Sequence, residues 1–309
     1  MVYLGVDIGG TNTKMGLVED GNIIARTVFK TSKDFEVLTD DIKNKLEELK
    51  KQGNVSTVGG IGIGCPGAID SKNGVVDVAF NLGWKDVKLK EMLEKKTGLE
   101  VRLSNDANVA GLGETIYGNG KGFKNVIVIT LGTGVGGAII IDGKMYEGNQ
   151  SKGAELGHIL LRKNGRQCTC GRRGCAETYV AASRFLKEAR SYASKSNGYL
   201  SKQIIDGDLH SIKCETVYNS AEKDDGAKKI VEKYISDLGE FVMDLCNIFR
   251  PEVLIIGGGM SYSGEKFINR LDDYCKQRNY GFAHTPPVLL RLAKLQNDAG
   301  LIGGACLFM

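Results

Sequence analysis

Cys168, Cys170 and Cys175 fall within eight residues, in CTCGRRGCAE, and His158 stands ten residues ahead of them in GAELGH. One imidazole and three thiolates complete a tetrahedral zinc shell and leave no position for substrate, which is the pattern of a structural rather than a catalytic metal. Two other readings of the cysteines remain open on spacing alone. A disulfide with one spare thiol is disfavoured because the chain opens on a strand-like run, VYLGVDIGG, with no secretory signal, and thiols inside the cell stay reduced. An iron–sulfur centre normally takes four thiolates, and the next cysteine downstream is Cys214.

Carboxylates are the second source of chemistry. Asp106 in LSNDANVAG follows the strand-like LEVRLS and opens a helix-like run, where the N-terminal dipole steadies an anionic side chain that could accept a proton. Ser104, Asn105 or Asp106 could equally cap that helix. Asn105 offers both a donor and an acceptor, which suits a hydroxyl that gives and takes hydrogen bonds. Glu155 and His158, three apart, share a face if GAELGH makes a helical turn. Glu177 follows Cys175 by two residues and is anchored by it.

These residues need a scaffold, and an internal repeat indicates which. VDIGGTNTKMGLVEDGNI from Val6 and VITLGTGVGGAIIIDGKM from Val128 align with a shift of 122, placing Gly10 on Gly132, Thr11 on Thr133, Asp20 on Asp142 and Gly21 on Gly143. Each copy reads as a strand, a Gly-Thr turn, a second strand and an Asp-Gly hairpin signal. Each is followed by helical periodicity and then a short apolar strand ending in glycines, TVGGIGIGCPG in the first half and EVLIIGGGM in the second. The pattern predicts an α/β chain with mixed sheets in two related domains facing a cleft. Gly132, Gly134 and Gly137 satisfy G-x-G-x-x-G, but AIII and a hairpin turn follow instead of a helix, which excludes a Rossmann site, and no P-loop motif is present. Glycine-rich turns with threonine hydroxyls present backbone N–H groups to phosphate oxygens.

The 309 residues carry 41 basic and 37 acidic side chains, a net charge of +4, which gives no basic surface for nucleic acid or membrane. No apolar run is long enough to span a bilayer. A soluble cytoplasmic protein acting on small molecules is expected.

The turn VDIGGTNTK, its repeat TLGTGVGG and the later IGGG resemble the phosphate and adenosine segments of the actin-like ATPases, the superfamily of hexokinases and sugar kinases. CPGAID, NLGW, NDANVAGLGE, GAELGH and CTCGRRGCAE resemble, in order and spacing, the ROK family of bacterial sugar kinases and repressors across essentially the whole chain. The resemblance implies a two-domain actin-like ATPase (ribonuclease H-like) fold with an interdomain cleft. It implies a small N-terminal domain over 1–117, with a C-terminal helix over 297–309 packing back on it, and a large domain over 118–296 carrying the zinc knuckle. The activity implied is transfer from ATP to the 6-hydroxyl of a hexose, glucose first, with N-acetylmannosamine, mannose, allose or fructose as alternatives. A transcriptional regulator is the remote alternative, since the first strand starts at once after Met1 and leaves no residues for a DNA-binding domain.

By the same resemblance Asp106 is the catalytic base, and Gly67, Asn81, Asn105, Asp106, Glu155, His158 and Glu177 bind the sugar. Gly9, Gly10, Thr11, Asn12, Thr13 and Lys14 with Gly132, Thr133 and Gly134 flank the phosphates of ATP, and Gly257, Gly258 and Gly259 its adenosine. Asp7 meets Mg2+ through water. His158, Cys168, Cys170 and Cys175 hold a structural Zn2+, one ring nitrogen of His158 on the metal and the other toward the sugar, with Gly171 and Gly174 making the knuckle. A homodimer or higher homo-oligomer is expected, with no nucleic-acid or membrane partner.

Overall fold

The structure, a computed structural model, describes residues 1–278, 280 and 284–309. The chain divides into two compact units, the first made of 1–126, 138–154 and 294–309 and the second of 127–137 and 155–293. Against the expected bounds at 117 and 297, residues 118–126, 138–154 and 294–296 group with the first unit.

The first unit opens with β1 (Val2–Ile8), β2 (Asn12–Glu19) and β3 (Asn22–Lys30), followed by α1 (Phe35–Gln52) and β4 (Ile61–Cys65). A small antiparallel sheet of β5 (Ala68–Asp70), β6 (Val75–Ala79) and β7 (Trp84–Val87) follows, then α2 (Leu89–Thr97), β8 (Val101–Asn105) and α3 (Asp106–Ile116). The main sheet is ordered β3-β2-β1-β4-β8, with β1, β4 and β8 parallel and β2 and β3 antiparallel. Every residue of β4 is buried, as a strand covered on both faces requires. On α1, Leu38, Ile42, Leu46 and Leu49 form the buried stripe, and the Asp34 side chain caps the helix by accepting from the N–H groups of Glu36 and Val37.

The opening pattern recurs in β9 (Val126–Leu131), β10 (Val135–Ile141) and β11 (Lys144–Met145). Both hairpin turns have two consecutive residues at positive φ, Asp20 and Gly21 at 48° and 79° and Asp142 and Gly143 at 51° and 76°, the type I′ geometry that Asp-Gly favours. In the second unit come α4 (Glu177–Val180), α5 (Ala182–Ala193), α6 (Cys214–Ser220), α7 (Asp225–Phe249), β12 (Val253–Gly258), α8 (Gly264–Lys276) and β13 (Leu289–Leu292). The second five-stranded sheet of the chain is ordered β11-β10-β9-β12-β13. Asp224 caps α7 by accepting from Gly226 N and Ala227 N, and α7 ends at Arg250 in the left-handed region just before Pro251.

The chain closes with α9 (Ala299–Cys306), which lies in the first unit against β1, β4 and α3. Its small residues allow helix and strand backbones to touch. A Cβ at Gly62 would stand 1.8 Å from Gly304 O, and one at Gly5 would stand 1.9 Å from Leu301 O. The buried Glu114 carboxylate fixes the approach to α9, accepting from Lys294 N at 3.1 Å and Leu295 N at 2.6 Å.

Gly62→Ala must push α9 off the sheet, because the obstacle is backbone that cannot rotate away. It is expected to cost about 1–3 kcal/mol, as overpacking does, and to lower the midpoint of thermal unfolding; an unchanged midpoint would show that α9 is not held at this distance.

Candidate functional site

In the first unit the parallel strands bring their C-terminal ends to one edge, where open α/β sheets bind ligands. The register places Asp7 beside Gly64, Gly64 beside Ser104 and Cys65 beside Asn105, so β1, β4 and β8 deliver their last residues in step. Asp106 is the first residue of α3 and half-buried, and its Oδ1 accepts from Ala107 N at 2.9 Å. Asn105 is the helix cap. Its Oδ1 also accepts from Ala107 N at 2.9 Å, and its Nδ2 donates to Gly67 O at 3.2 Å, so capping and presentation at the strand end fall to adjacent side chains. Burial first, and then the Asp106 carboxylate, push the neighbouring Cys65 thiol up, and it stays protonated.

Gly67 has a φ of 108°, and a Cβ there would meet Val78 O on β6 at 2.1 Å, which alone accounts for the glycine. Asn81 is exposed in the turn after β6, and a Cβ at Gly10 would stand 3.5 Å from its Cβ, so Asn81 borders the first Gly-Thr turn.

That turn is closed by Gly9 N donating to Asn12 O at 3.0 Å, leaving Gly10, Thr11 and Asn12 exposed. Thr13 departs from the expected phosphate side. Strand alternation turns its side chain fully inward, where Thr31 Oγ1 donates to Gly9 O at 2.7 Å and Thr13 in turn donates to Thr31 Oγ1 at 2.9 Å. Its hydroxyl fixes the shape of the turn. Lys14 faces Asp7 across the β1–β2 pair and forms an ion pair with it at 3.3 Å.

In the second unit the repeat turn is closed by Gly132 N donating to Gly134 O at 3.0 Å. Two helix starts hold it. Ser183 Oγ donates to Thr133 O at 2.6 Å, and Glu177 Oε2 accepts from Val135 N at 3.0 Å. Gly257 and Gly258 end β12, Gly259 begins a short 3-10 turn, and Ser261 Oγ donates back to Gly258 O at 2.8 Å.

Glu155 is exposed and precedes the single 3-10 turn Leu156–His158. The donor atoms of His158, Cys168, Cys170 and Cys175 all lie within 4.8 Å of one another, the one such group among the described residues that unites histidine and cysteine. His158 Nδ1 is 3.7 Å from Cys168 Sγ, and Cys170 Sγ is 3.6 Å from Cys175 Sγ. A tetrahedral ion bound about 2.3 Å from sulfur spaces its ligand atoms about 3.7 Å apart, so the set fits a metal. All eight cysteines are free thiols. Burial and the adjacent thiols push Cys175 up to about 12, whereas the Arg172 backbone N–H holds Cys170 below the ordinary thiol range.

The knuckle is braced from outside. Tyr179 Oη accepts from Arg166 N at 2.8 Å, the Arg162 and Arg166 guanidinium groups lie over the Tyr179 ring, and Arg162 pairs with the buried Asp237 of α7. Glu177 Oε1 lies 3.8 Å from Cys168 Sγ, so one carboxylate touches both the cysteine cluster and the repeat turn. No local signal in the sequence marks Glu147, whose carboxylate accepts from Ser71 and Ser104, because those partners are 76 and 43 residues away.

No helix among the described residues is long and apolar enough to cross a membrane. Residues 3–309 match the profile of the ROK family. The chain is 36% identical to a glucokinase of Halalkalibacterium halodurans over 99% of this chain and 94% of that one. It is 28% identical to a xylose repressor of Caldicellulosiruptor bescii over 97% of this chain and 76% of that one. A crystal structure of a ROK family glucokinase from Streptomyces griseus in complex with glucose and AMPPNP superposes with a TM-score of 0.85 at 32% identity, covering 99% of each chain.

Proposed function

The chain belongs to the ROK family, and we propose that it transfers the γ-phosphoryl group of ATP to the 6-hydroxyl of a hexose, with glucose as substrate. The observation that carries this reading is the near-complete superposition on an enzyme holding glucose and an ATP analogue, supported by identity to glucokinases that exceeds identity to the repressor.

Phosphoryl transfer asks the protein to position the reactants, accept one proton and stabilise charge. In the first unit Asp106 accepts the proton of the attacking hydroxyl, and its place at the first turn of α3 fixes it beside Asn105. Asn105, Asn81 and the backbone at Gly67 meet sugar hydroxyls. The exposed backbone of Gly9 to Asn12 meets phosphate oxygens, with Thr13 shaping the turn from within and Lys14 adding positive charge. Asp7 would meet Mg2+ through water, and the ion, when bound with the nucleotide, would supply neutralisation of the phosphate charge.

In the second unit Gly132, Thr133 and Gly134 meet the phosphates and Gly257 to Gly259 the adenosine, while Glu155, His158 and Glu177 read sugar hydroxyls. His158 Nδ1, Cys168, Cys170 and Cys175 would hold Zn2+ in a closed shell. It does no chemistry on the substrate but fixes the imidazole and the knuckle that ends in Glu177. The cytoplasm, where thiols stay reduced, is the compartment proposed, and a homodimer or higher homo-oligomer is the assembly proposed.

ADP formation against a panel of hexoses tests the reading. Glucose is expected to raise turnover far above the rate without sugar; preference for mannose, allose, fructose or N-acetylmannosamine would reassign the substrate, and no stimulation by any hexose would reject the kinase. Asp106→Asn is expected to lower kcat by about 10²- to 10⁴-fold with glucose binding retained in calorimetry; near-normal turnover would remove Asp106 from the role of base. Cys170→Ser is expected to lose zinc by elemental analysis and to raise the glucose KM about 10- to 100-fold, whereas zinc loss at unchanged KM would show that the knuckle does not order the sugar site.

A further inference from the structure

Building on the hexose-kinase reading, we propose that Glu147 to Ala154 form a strap that positions the sugar ligand Glu155, and that Glu147 is its anchor. The strap runs from the end of β11 to the residue before Glu155. Gln150, Ser151 and Ala154 sit in the left-handed region at φ of 54°, 57° and 63°. Residues with a Cβ stay there only where the surroundings hold them, and such strain gathers at functional sites.

What holds them is a set of bonds centred on one carboxylate. Glu147 Oε1 accepts from Ser104 Oγ at 2.5 Å, and Oε2 accepts from Ser71 Oγ at 2.7 Å. The single Ser71 hydrogen is thereby used, so Ser151 Oγ donates to Ser71 Oγ at 2.6 Å. Lys152 pairs with Asp77 at 2.8 Å, and Gly153 N donates to Glu147 O at 2.6 Å, which folds the strap back on its anchor. Hydrogen bonds to a carboxylate are stronger than neutral ones, so the two to Glu147 are firmer than the Ser151–Ser71 and backbone bonds of the set.

Ser104 is buried in β8 and immediately precedes Asn105 and Asp106. The same carboxylate therefore grips the strand that ends in the base and the strap that ends one peptide bond before Glu155. Glu155 O accepts from His158 N at 3.0 Å, so a change of direction at Ala154 moves Glu155 together with the turn that follows. Glu147 is a positioning residue whose effect reaches the sugar through Glu155.

The test is steady-state kinetics with glucose and ATP on Glu147→Ala, alone and in a Glu155→Ala background, with thermal unfolding recorded alongside. Loss of a charge-assisted bond predicts a glucose KM raised about tenfold, an unchanged ATP KM and a kcat close to wild type. In the Glu155→Ala background, Glu147→Ala is expected to add almost nothing, and Glu147→Gln, which keeps an acceptor in place, to recover part of the affinity. An unchanged glucose KM, or the full loss repeated when Glu155 is absent, overturns the strap. If Glu147→Ala does not fold, Ser71→Ala carries the same two comparisons with the same criteria. Absence of glucose-dependent turnover in the wild type would reject the kinase reading and the strap with it; wild-type turnover with unaltered glucose affinity in the variant rejects the strap alone.

Discussion

The Glu177 carboxylate joins the repeat turn and the cysteine cluster of the second unit. One oxygen takes the N–H of Val135 at the end of the repeat turn and the other lies against Cys168 of the cysteine cluster. A carboxylate is an acceptor with about four lone-pair sites, so those two contacts leave capacity for a sugar hydroxyl. The residue has little freedom to stand elsewhere. It begins α4, it follows Cys175 by two residues, and the knuckle before it is clamped by Tyr179 and by the pairing of Arg162 with buried Asp237. The cysteine knuckle thus acts at a distance: its bracing fixes Glu177, and Glu177 holds the turn.

The first unit reaches the same end by strand register. Because β1, β4 and β8 are parallel and end in step, Asp7, Gly64 and Asn105 arrive at one edge without any loop having to carry them there, and Asp106 follows Asn105 directly. The glycine contacts between α9 and β1 and β4 cover that sheet closely, and Glu114 pins the chain as it enters α9. Division of labour between Asn105, which caps α3, and Asp106, which stands at its first position, lets one helix start both close its own end and present a carboxylate.

Much of this was legible in the sequence because the signals are local. The Asp-Gly pairs specify type I′ hairpins by their own backbone preferences, and the His and Cys spacing identifies a four-donor set before any fold is known. Other features depend on partners far along the chain. Thr13 lies in a Gly-Thr motif that reads as a phosphate turn, yet alternation along β2 buries it against Thr31. Gly67 reads as room for a ligand, but Val78 occupies the space where its Cβ would be. Glu147 carries no motif at all, since the serines that define it come from β8 and from the turn after β5. The same distant bonds tie Glu147, Ser151 and Lys152 to the first unit although they follow the repeat turn in sequence.

The most direct measurement of the junction at Glu177 is the pair of Michaelis constants, for glucose and for ATP, in Glu177→Ala with metal content determined on the same sample. Both constants are expected to rise, each about tenfold or more, while the metal remains bound. A normal ATP KM beside a raised glucose KM would contradict the account, because the carboxylate would then serve the sugar without holding the phosphate turn.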